Sequence, residues 1–305
     1  MKSSLLRFAH DSVFVLSAGK PLAGRLRGFL DLGRMALKPE IGEDGGGIVR
    51  VGPRRVAFLN FSSLYYAYRE IFVRENYFFR HGGPAPFILD CGANIGLATL
   101  YFKSLYPESQ ILAFEPDAQT FSVLQRNIAQ NGLKGVVAHN CALWDSDGPI
   151  DFFVDHAQPG TLLMSANPGR MAGERTTAVG RRLSNFIGDK QVDFLKLDIE
   201  GAEERVLREL AQAGKLSQIR RMAIEYHHRI ASEPSRLSQF LQILETNGFE
   251  YQIGATFVPK GGSGVTQDVM VYAIWNDAGP AAPMAGLARR GAFGQALNPK
   301  GTDEG

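Results

Sequence analysis

Phe87-Ile88-Leu89-Asp90-Cys91-Gly92-Ala93-Asn94-Ile95-Gly96 is a short apolar run that ends in an acid and passes through two glycines into a helically spaced segment reaching residue 105. A strand that feeds a helix through a glycine loop opens a parallel strand-helix-strand unit. The glycines let the backbone pass close to a ligand, and the helix start presents free N–H groups to an anionic end such as a carboxylate or phosphate.

Downstream the same alternation continues. Strands are expected at 87–91, 111–115, 136–141, 192–198, 219–226, 249–254 and 268–275. Helices are expected at about 96–105, 118–131, 202–213 and 235–247, with Gly132, Gly214 and Gly248 as stop signals. Between Leu143 and Gln191 the spacing loosens, which reads as an insertion covering the site. Only Ala255 to Gln267 joins the last two strands, so they form a hairpin and the sheet should include one antiparallel strand. A seven-stranded α/β sheet with its last strand reversed resembles the Rossmann-like class I methyltransferases. Upstream, short apolar runs from Ile48 to Phe61 suggest a hairpin, and Leu64 to Phe79 reads as an aromatic-rich helix leading into His81-Gly82-Gly83-Pro84. The division expected is an N-terminal extension over 1–63, a main domain over 64–276 and a disordered Gly-, Ala- and Pro-rich tail over 277–305.

Composition narrows the class. The 305 residues are 45% hydrophobic and 21% charged, enough to bury a full core, and this excludes general disorder. A formal net charge of +2 gives no strong field, so nucleic acid is not an expected partner. Residues 1–40 hold seven basic residues against three acidic ones. Within them Leu22, Leu26, Phe29, Leu30 and Leu37 oppose Lys20, Arg27, Arg34 and Lys38 at roughly helical spacing. This helix is expected to pack on the main domain or a partner, with weak membrane-surface contact through residues 20–38 as the alternative. The apolar patch Val13 to Ala18 is bracketed by His10, Asp11 and Lys20 and is too short for a signal core or a membrane span. Two cysteines, Cys91 and Cys141, cannot make a disulfide framework and lie at expected strand ends, so the reading is cytoplasmic.

The glycine loop carries the spacing Gly-x-Asn-x-Gly after an acid, not the G-x-G-x-x-G of a dinucleotide fold. Asp90 at the strand end would repel a pyrophosphate but suits the ammonium of a methionine moiety, so S-adenosylmethionine is the expected cofactor, bound by Asp90, Gly92, Asn94 and Gly96. Ile111-Leu112-Ala113-Phe114-Glu115-Pro116-Asp117 ends a second strand in an acid 25 positions after Asp90. Glu115 there can accept both ribose hydroxyls, while Asp117 suits a helix cap. At the end of the third strand, in His139-Asn140-Cys141-Ala142-Leu143-Trp144-Asp145, either Asp145 or a backbone group meets the adenine amino group, between apolar walls. The competing reading is a turn acid beside a core tryptophan.

In Val192-Asp193-Phe194-Leu195-Lys196-Leu197-Asp198-Ile199-Glu200-Gly201-Ala202-Glu203 an apolar strand holds a lysine and ends in acids before a helix. Ligands in parallel sheets bind beyond the carboxyl ends of the strands, so Asp198 and Glu200 should face the transferring group. Lys196 shares the face of Asp198 and is its expected buried partner. Glu203 is read as complementing the helix N-terminus. Ala223-Ile224-Glu225-Tyr226-His227-His228 ends a neighbouring strand in an acid and two histidines, which makes His227 a candidate base.

Together Ile88 to Gly96, Ala113-Phe114-Glu115-Pro116-Asp117, Leu195 to Glu203 and Ile224-Glu225-Tyr226-His227 are similar to the motifs of the FkbM family of methyltransferases, over about residues 64–275. The resemblance implies O-methylation of a hydroxyl on a sugar, lipid or natural product, with a small-molecule, glycan or lipid acceptor. A sulfonium methyl is already electrophilic, so the protein has to align the acceptor oxygen and remove its proton. His227 is the first choice for the base and Asp198 the second. No metal is assigned, although Asp198, Glu200 and His227 would make a physically sensible divalent-metal variant. The alternatives are a non-catalytic cofactor-binding scaffold and, below it, a dinucleotide-dependent oxidoreductase.

Overall fold

The structure is a computed structural model that describes residues 22–37, 40–41, 46–154, 174–228, 236–254 and 267–276. The Val13–Ala18 patch, the loop joining the last two strands and the tail after Asn276 lie outside the described residues.

The chain begins with helix α1 (Leu22–Leu37), strand β1 (Glu40–Ile41) and a hairpin of β2 (Gly47–Val51) and β3 (Arg54–Phe58) closed by Gly52-Pro53. Asp31 ties these pieces together, because its buried carboxylate accepts the Gly52 N–H at 2.9 and 3.0 Å and the Tyr68 hydroxyl at 3.3 Å. This turns Asp31, Leu32 and Met35 inward and leaves Leu26 and Leu30 half exposed, so the buried face of α1 is not the one that Leu26 and Leu30 mark. A buried carboxylate must be hydrogen-bonded, and here its donors dictate which face points in.

Helix α2 (Phe61–Tyr68) is capped by Asn60, whose side chain accepts the Ser63 N–H, and widens into a π-helical turn over Arg69–Val73. The helix expected to reach Phe79 stops there. Glu75 adopts a left-handed φ of 58°, the Asn76 amide donates to Glu70, and the chain runs on with Tyr77 and Phe79 buried and Phe78 outward. That alternation belongs to extended backbone.

The main sheet has the order β12-β13-β11-β10-β4-β5-β6. Its strands are β4 (Phe87–Cys91), β5 (Gln110–Phe114), β6 (Val136–His139), β10 (Phe194–Leu197), β11 (Arg221–His228), β12 (Phe249–Gly254) and β13 (Gln267–Trp275). All are parallel except β13, which runs antiparallel to both neighbours, giving the class I methyltransferase architecture. The central strands are covered on both faces, which is why they read as unbroken apolar runs. Between them lie α3 (Leu97–Leu105), α4 (Ala118–Gln130), α6 (Glu203–Gln212) and α7 (Leu237–Thr246), with a short α5 (Ser184–Ile187) ahead of β10. Gly132, Gly214 and Gly248 follow three of them with positive φ. Asp117 caps α4 by accepting the Thr120 N–H at 2.7 Å.

Asn127 of α4 joins the N-terminal hairpin to this sheet by pairing with the backbone of Ala57 at 2.7 and 2.9 Å and reaching the Ile95 carbonyl at 2.7 Å. The insertion forms a second small sheet of β7 (Ala142–Leu143), β8 (Gly148–Val154) and β9 (Glu174–Arg181), in the order β7-β9-β8. Among the described residues no helix is long and apolar enough to cross a membrane.

Candidate functional site

The loops leaving β4, β5, β10 and β11 gather at one edge of the sheet, where the strand order reverses between β4 and β10, and open crevices form at such a point. Gly92, Asn94, Glu115, Cys141, Phe152 and Asp198 help line one open cleft there. The insertion supplies part of its wall through β7 and Phe152.

The glycine loop is shaped first by protein packing. Gly92 has a φ of 80°, and a Cβ on it would lie 1.8 Å from the Asp198 carbonyl oxygen. Gly96, at φ 91°, would bring a Cβ to 2.7 Å from the Leu124 side chain. A side chain is therefore excluded at Gly92 by neighbouring backbone, whereas at Gly96 the positive φ is what disfavours one, and of the loop Gly92 and Asn94 lie on the cleft wall. Asn94 is left-handed at φ 49°, its side chain accepts the Ile95 N–H at 2.8 Å, and its own N–H donates to Glu115 at 2.9 Å.

Glu115 is buried at the cleft wall, with one carboxylate oxygen accepting from Asn94 and the other from the Asp117 N–H at 3.0 Å. Burial pushes its carboxyl from an ordinary 4.5 up to about 8, against the pull of those backbone donors. Asp90 occupies a different environment, since it is 0% exposed and is held by the Thr99 hydroxyl at 2.6 Å and by Lys196 at 3.7 Å. The ammonium expected from a ligand is supplied from within the protein by Lys196, which corrects the picture of Asp90 facing the cleft. Asp145 also stands apart. It is exposed and pairs at 3.0 Å with Arg205, whose guanidinium lies 4.8 Å from the half-buried Trp144 ring.

Lys196 is the partner of Asp198, as expected, at 3.3 Å, and it donates to the Cys91 and Gly92 carbonyls at 3.2 and 2.6 Å. Burial pulls its ammonium down, but Asp198 and Asp90 together raise it above the usual lysine range. Burial likewise pushes Asp198 up, and the Lys196 charge, helped by hydrogen bonds from Lys196 and Tyr77, outweighs it, so this carboxyl falls below its ordinary range. Both groups stay charged at neutral pH.

His227 is buried one layer behind Glu200, with its Nε2 3.4 Å from the Glu200 carboxylate and its Nδ1 2.9 Å from Glu203. Glu203 opens α6 and also accepts the N–H groups of Ile199 and Gly201, so it serves both the helix N-terminus and the imidazole. Glu200 itself has a left-handed φ of 58°. The sequence reading passed over one further side chain, Tyr77, whose hydroxyl is 3.2 Å from Asp198 and 3.5 Å from Glu225 and whose ring lies 5.4 Å from the Lys196 ammonium. Burial, then Asp198, raises that phenol well above its ordinary value, so it is a hydrogen-bond donor and not a base.

Residues 90–251 match the model of the methyltransferase FkbM domain, more than half of the chain. A "Methyltransferase 1" of Beauveria bassiana is 37% identical over 48% of this chain and 66% of its own length, so the chain spans just under two thirds of that relative. The methyltransferase sdnD of Sordaria araneosa is 34% identical over 61% of this chain and 82% of its own. The 31-O-demethyl-FK506 methyltransferase FkbM of Streptomyces tacrolimicus is 29% identical over 64% of this chain and 85% of its own. With its sheet order, its cleft and the motifs that line it in agreement with that match, the chain belongs to the FkbM family of methyltransferases.

Proposed function

We propose that the protein moves a methyl group from S-adenosylmethionine to a hydroxyl oxygen of a small-molecule, glycan or lipid acceptor. The observation that carries this reading is that Gly92, Asn94, Glu115 and Asp198, drawn from three strand ends, line one cleft. A nucleoside fits these groups. Glu115 faces the cleft with both oxygens fixed by backbone donors, so its remaining lone pairs are aimed for a diol. Phe114, Cys141 and Leu143 supply apolar walls for a base.

When bound, the cofactor supplies a methyl group that is already electrophilic. The chain's own residues then align the acceptor, exclude water and draw off the hydroxyl proton. Asp198 is a charged group on the cleft wall, fixed by Lys196 and Tyr77, and it orients the hydroxyl. His227, held through Nδ1 by Glu203, draws the proton from behind Glu200. A binding module without catalysis would need neither group, and their convergence at one end of the cleft supports the catalytic reading. The name of the Streptomyces relative, a methyltransferase of 31-O-demethyl-FK506, supports oxygen as the acceptor atom.

Thermal denaturation tests the cofactor. S-adenosylmethionine or S-adenosylhomocysteine at a hundred times its dissociation constant is expected to add about 2.7 kcal/mol to the native state. NAD is expected to add nothing. A shift with NAD and none with the sulfur compounds would falsify the reading.

A further inference from the structure

We propose that Asp198, Glu200 and His227 hold a divalent cation at the transfer end of the cleft. This deepens the methyltransferase reading and rests on it for the role of the ion, though not for its binding. The three side chains come from the end of β10, the loop after it and the end of β11, and one ligand atom from each lies within 4.8 Å of the other two. An ion bonded at about 2.0–2.2 Å keeps its ligand atoms roughly 3–4.4 Å apart, so small side-chain adjustments close the set.

The imidazole supplies a second, independent observation. His227 is 1% exposed, and its Nδ1 is 2.9 Å from a Glu203 oxygen that already accepts the N–H groups of Ile199 and Gly201. That oxygen has only acceptor capacity, so Nδ1 carries the proton, and in the neutral ring Nε2 is left with a lone pair. Nε2 points at the Glu200 carboxylate 3.4 Å away, so an ion between the two would meet a ligand atom from each. A histidine whose far nitrogen is fixed by a carboxylate is the usual arrangement behind a metal-bound imidazole.

Two carboxylates and one imidazole suit an ion that accepts both oxygen and nitrogen, and Mn²⁺ meets that description better than Mg²⁺. Asp198 and Glu200 reach the site from the cleft wall, so the ion has a face open to the acceptor hydroxyl. There it polarises the O–H bond, and His227, the base of the metal-free reading above, serves instead as a ligand. The oxygen forms its bond to the methyl carbon, the sulfur keeps the electron pair of the bond that breaks, and the proton passes to a carboxylate oxygen of Asp198 or Glu200 that is not on the ion. The rival explanation for the same geometry is a proton on Nε2, an imidazolium between two glutamates, and this predicts no affinity for metal.

Mn²⁺ alone, titrated into chelator-treated full-length protein with the free ion counted by electron paramagnetic resonance, separates the two. The expected result is one equivalent bound per chain, with binding weakened at least tenfold in Glu200→Gln and also in His227→Ala. Glu200→Gln, on a partly exposed loop side chain, keeps the test valid if the buried histidine variant fails to fold. S-adenosylhomocysteine binding is measured in parallel on the wild type. Mn²⁺ binding without it leaves the metal site standing and overturns the methyltransferase reading. S-adenosylhomocysteine binding with no Mn²⁺ uptake at millimolar concentration overturns the metal site, as does Mn²⁺ uptake unchanged in Glu200→Gln.

Discussion

The two ends of the cleft are built from different materials. At the end defined by Asn94 and Glu115, backbone N–H groups from adjacent loops converge on one acid, and each contact spans 21 residues or fewer. At the other end Tyr77, Lys196, Asp198, Glu200, Glu203 and His227 meet as side chains, and the bond from Tyr77 to Asp198 crosses 121 positions. The first end is a rigid cradle whose chemistry is one carboxylate. The second is a side-chain network in which Lys196, Asp198 and Tyr77 set one another's charge. Substitutions in the cradle should therefore cost affinity, and substitutions in the network should cost turnover.

The largest effect is expected from His227→Ala. Removing a group that acts in the transition state lowers single-turnover methyl transfer by roughly 10²–10⁴-fold, with cofactor affinity nearly unchanged. Wild-type rates in this variant would take His227 out of the chemistry and dissolve the contrast between the two ends. Asp198→Asn is expected to lower turnover as strongly and also to cost about 1.5–3 kcal/mol of stability, because Lys196 loses its nearest carboxylate while Asp90 and two carbonyls remain. Chemical denaturation separates that second cost from the first.

Glu115 should behave in the opposite sense. Glu115→Ala is expected to weaken cofactor binding by roughly 1.5–3 kcal/mol, the scale of charged hydrogen bonds, while rates at saturating cofactor hold. Its pH dependence has a definite sign. The carboxyl is raised from 4.5 to about 8 in the fold, so the stability it contributes is complete below pH 4.5 and is lost as pH rises through 8. Glu115→Gln should accordingly match the wild type near pH 4 and exceed it in Tm by pH 9. Cofactor affinity in the wild type should rise toward pH 8, because the ribose hydroxyls need the ionised acceptor. A flat affinity from pH 6 to pH 9, measured by calorimetry, would show that ionisation of Glu115 does not control the cradle.

The same contrast explains what could be read in the chain. β4, β5 and β10 are continuous apolar runs because both faces are covered, and Glu115 and Asp198 are the acids at their ends, so the order of strands and the cradle follow from local pattern. Tyr77 escaped because its aromatic neighbours repeat at a spacing that suits a helix as well as an extended run. The left-handed Glu75 that decides between the two leaves no mark in periodicity. Glu203 was legible as a helix-start acid, but its bond to His227 joins two separate elements and has no local signature. The different surroundings of Asp90 and Asp145 have no mark in the sequence for one shared reason. An acid after a strand looks the same whether it faces a ligand, a buried lysine or a surface arginine.

Tyr77→Phe probes whether the network needs its neutral member. The hydroxyl places one proton between Asp198 and Glu225, and its loss leaves those carboxylates one donor short. A stability loss of about 1 kcal/mol is expected, the net value of one hydrogen bond. Turnover should fall severalfold as Asp198 loses its orientation, and cofactor affinity should hold. A rate equal to the wild type would reduce Tyr77 to packing.

The smallest effect is expected at Asp145. Its carboxylate is exposed, accepts from the Ser146 hydroxyl at 3.3 Å and pairs with Arg205, a surface pair of the kind worth about 0–1 kcal/mol. Asp145→Ala should shift stability within that range and leave affinity for S-adenosylhomocysteine unchanged, because the cleft near the third strand is lined by Cys141, Ala142 and Leu143 and not by this side chain. Arg205→Ala should have the same small effect, and the double variant should be no worse than the sum, since both substitutions remove one screened contact. The opposite outcome has a definite meaning. A tenfold loss of affinity in Asp145→Ala with none in Arg205→Ala would mean that the loop after β7 turns its acid into the cleft when the adenine arrives, and the cradle would then close on its ligand through a charged side chain as the transfer end does.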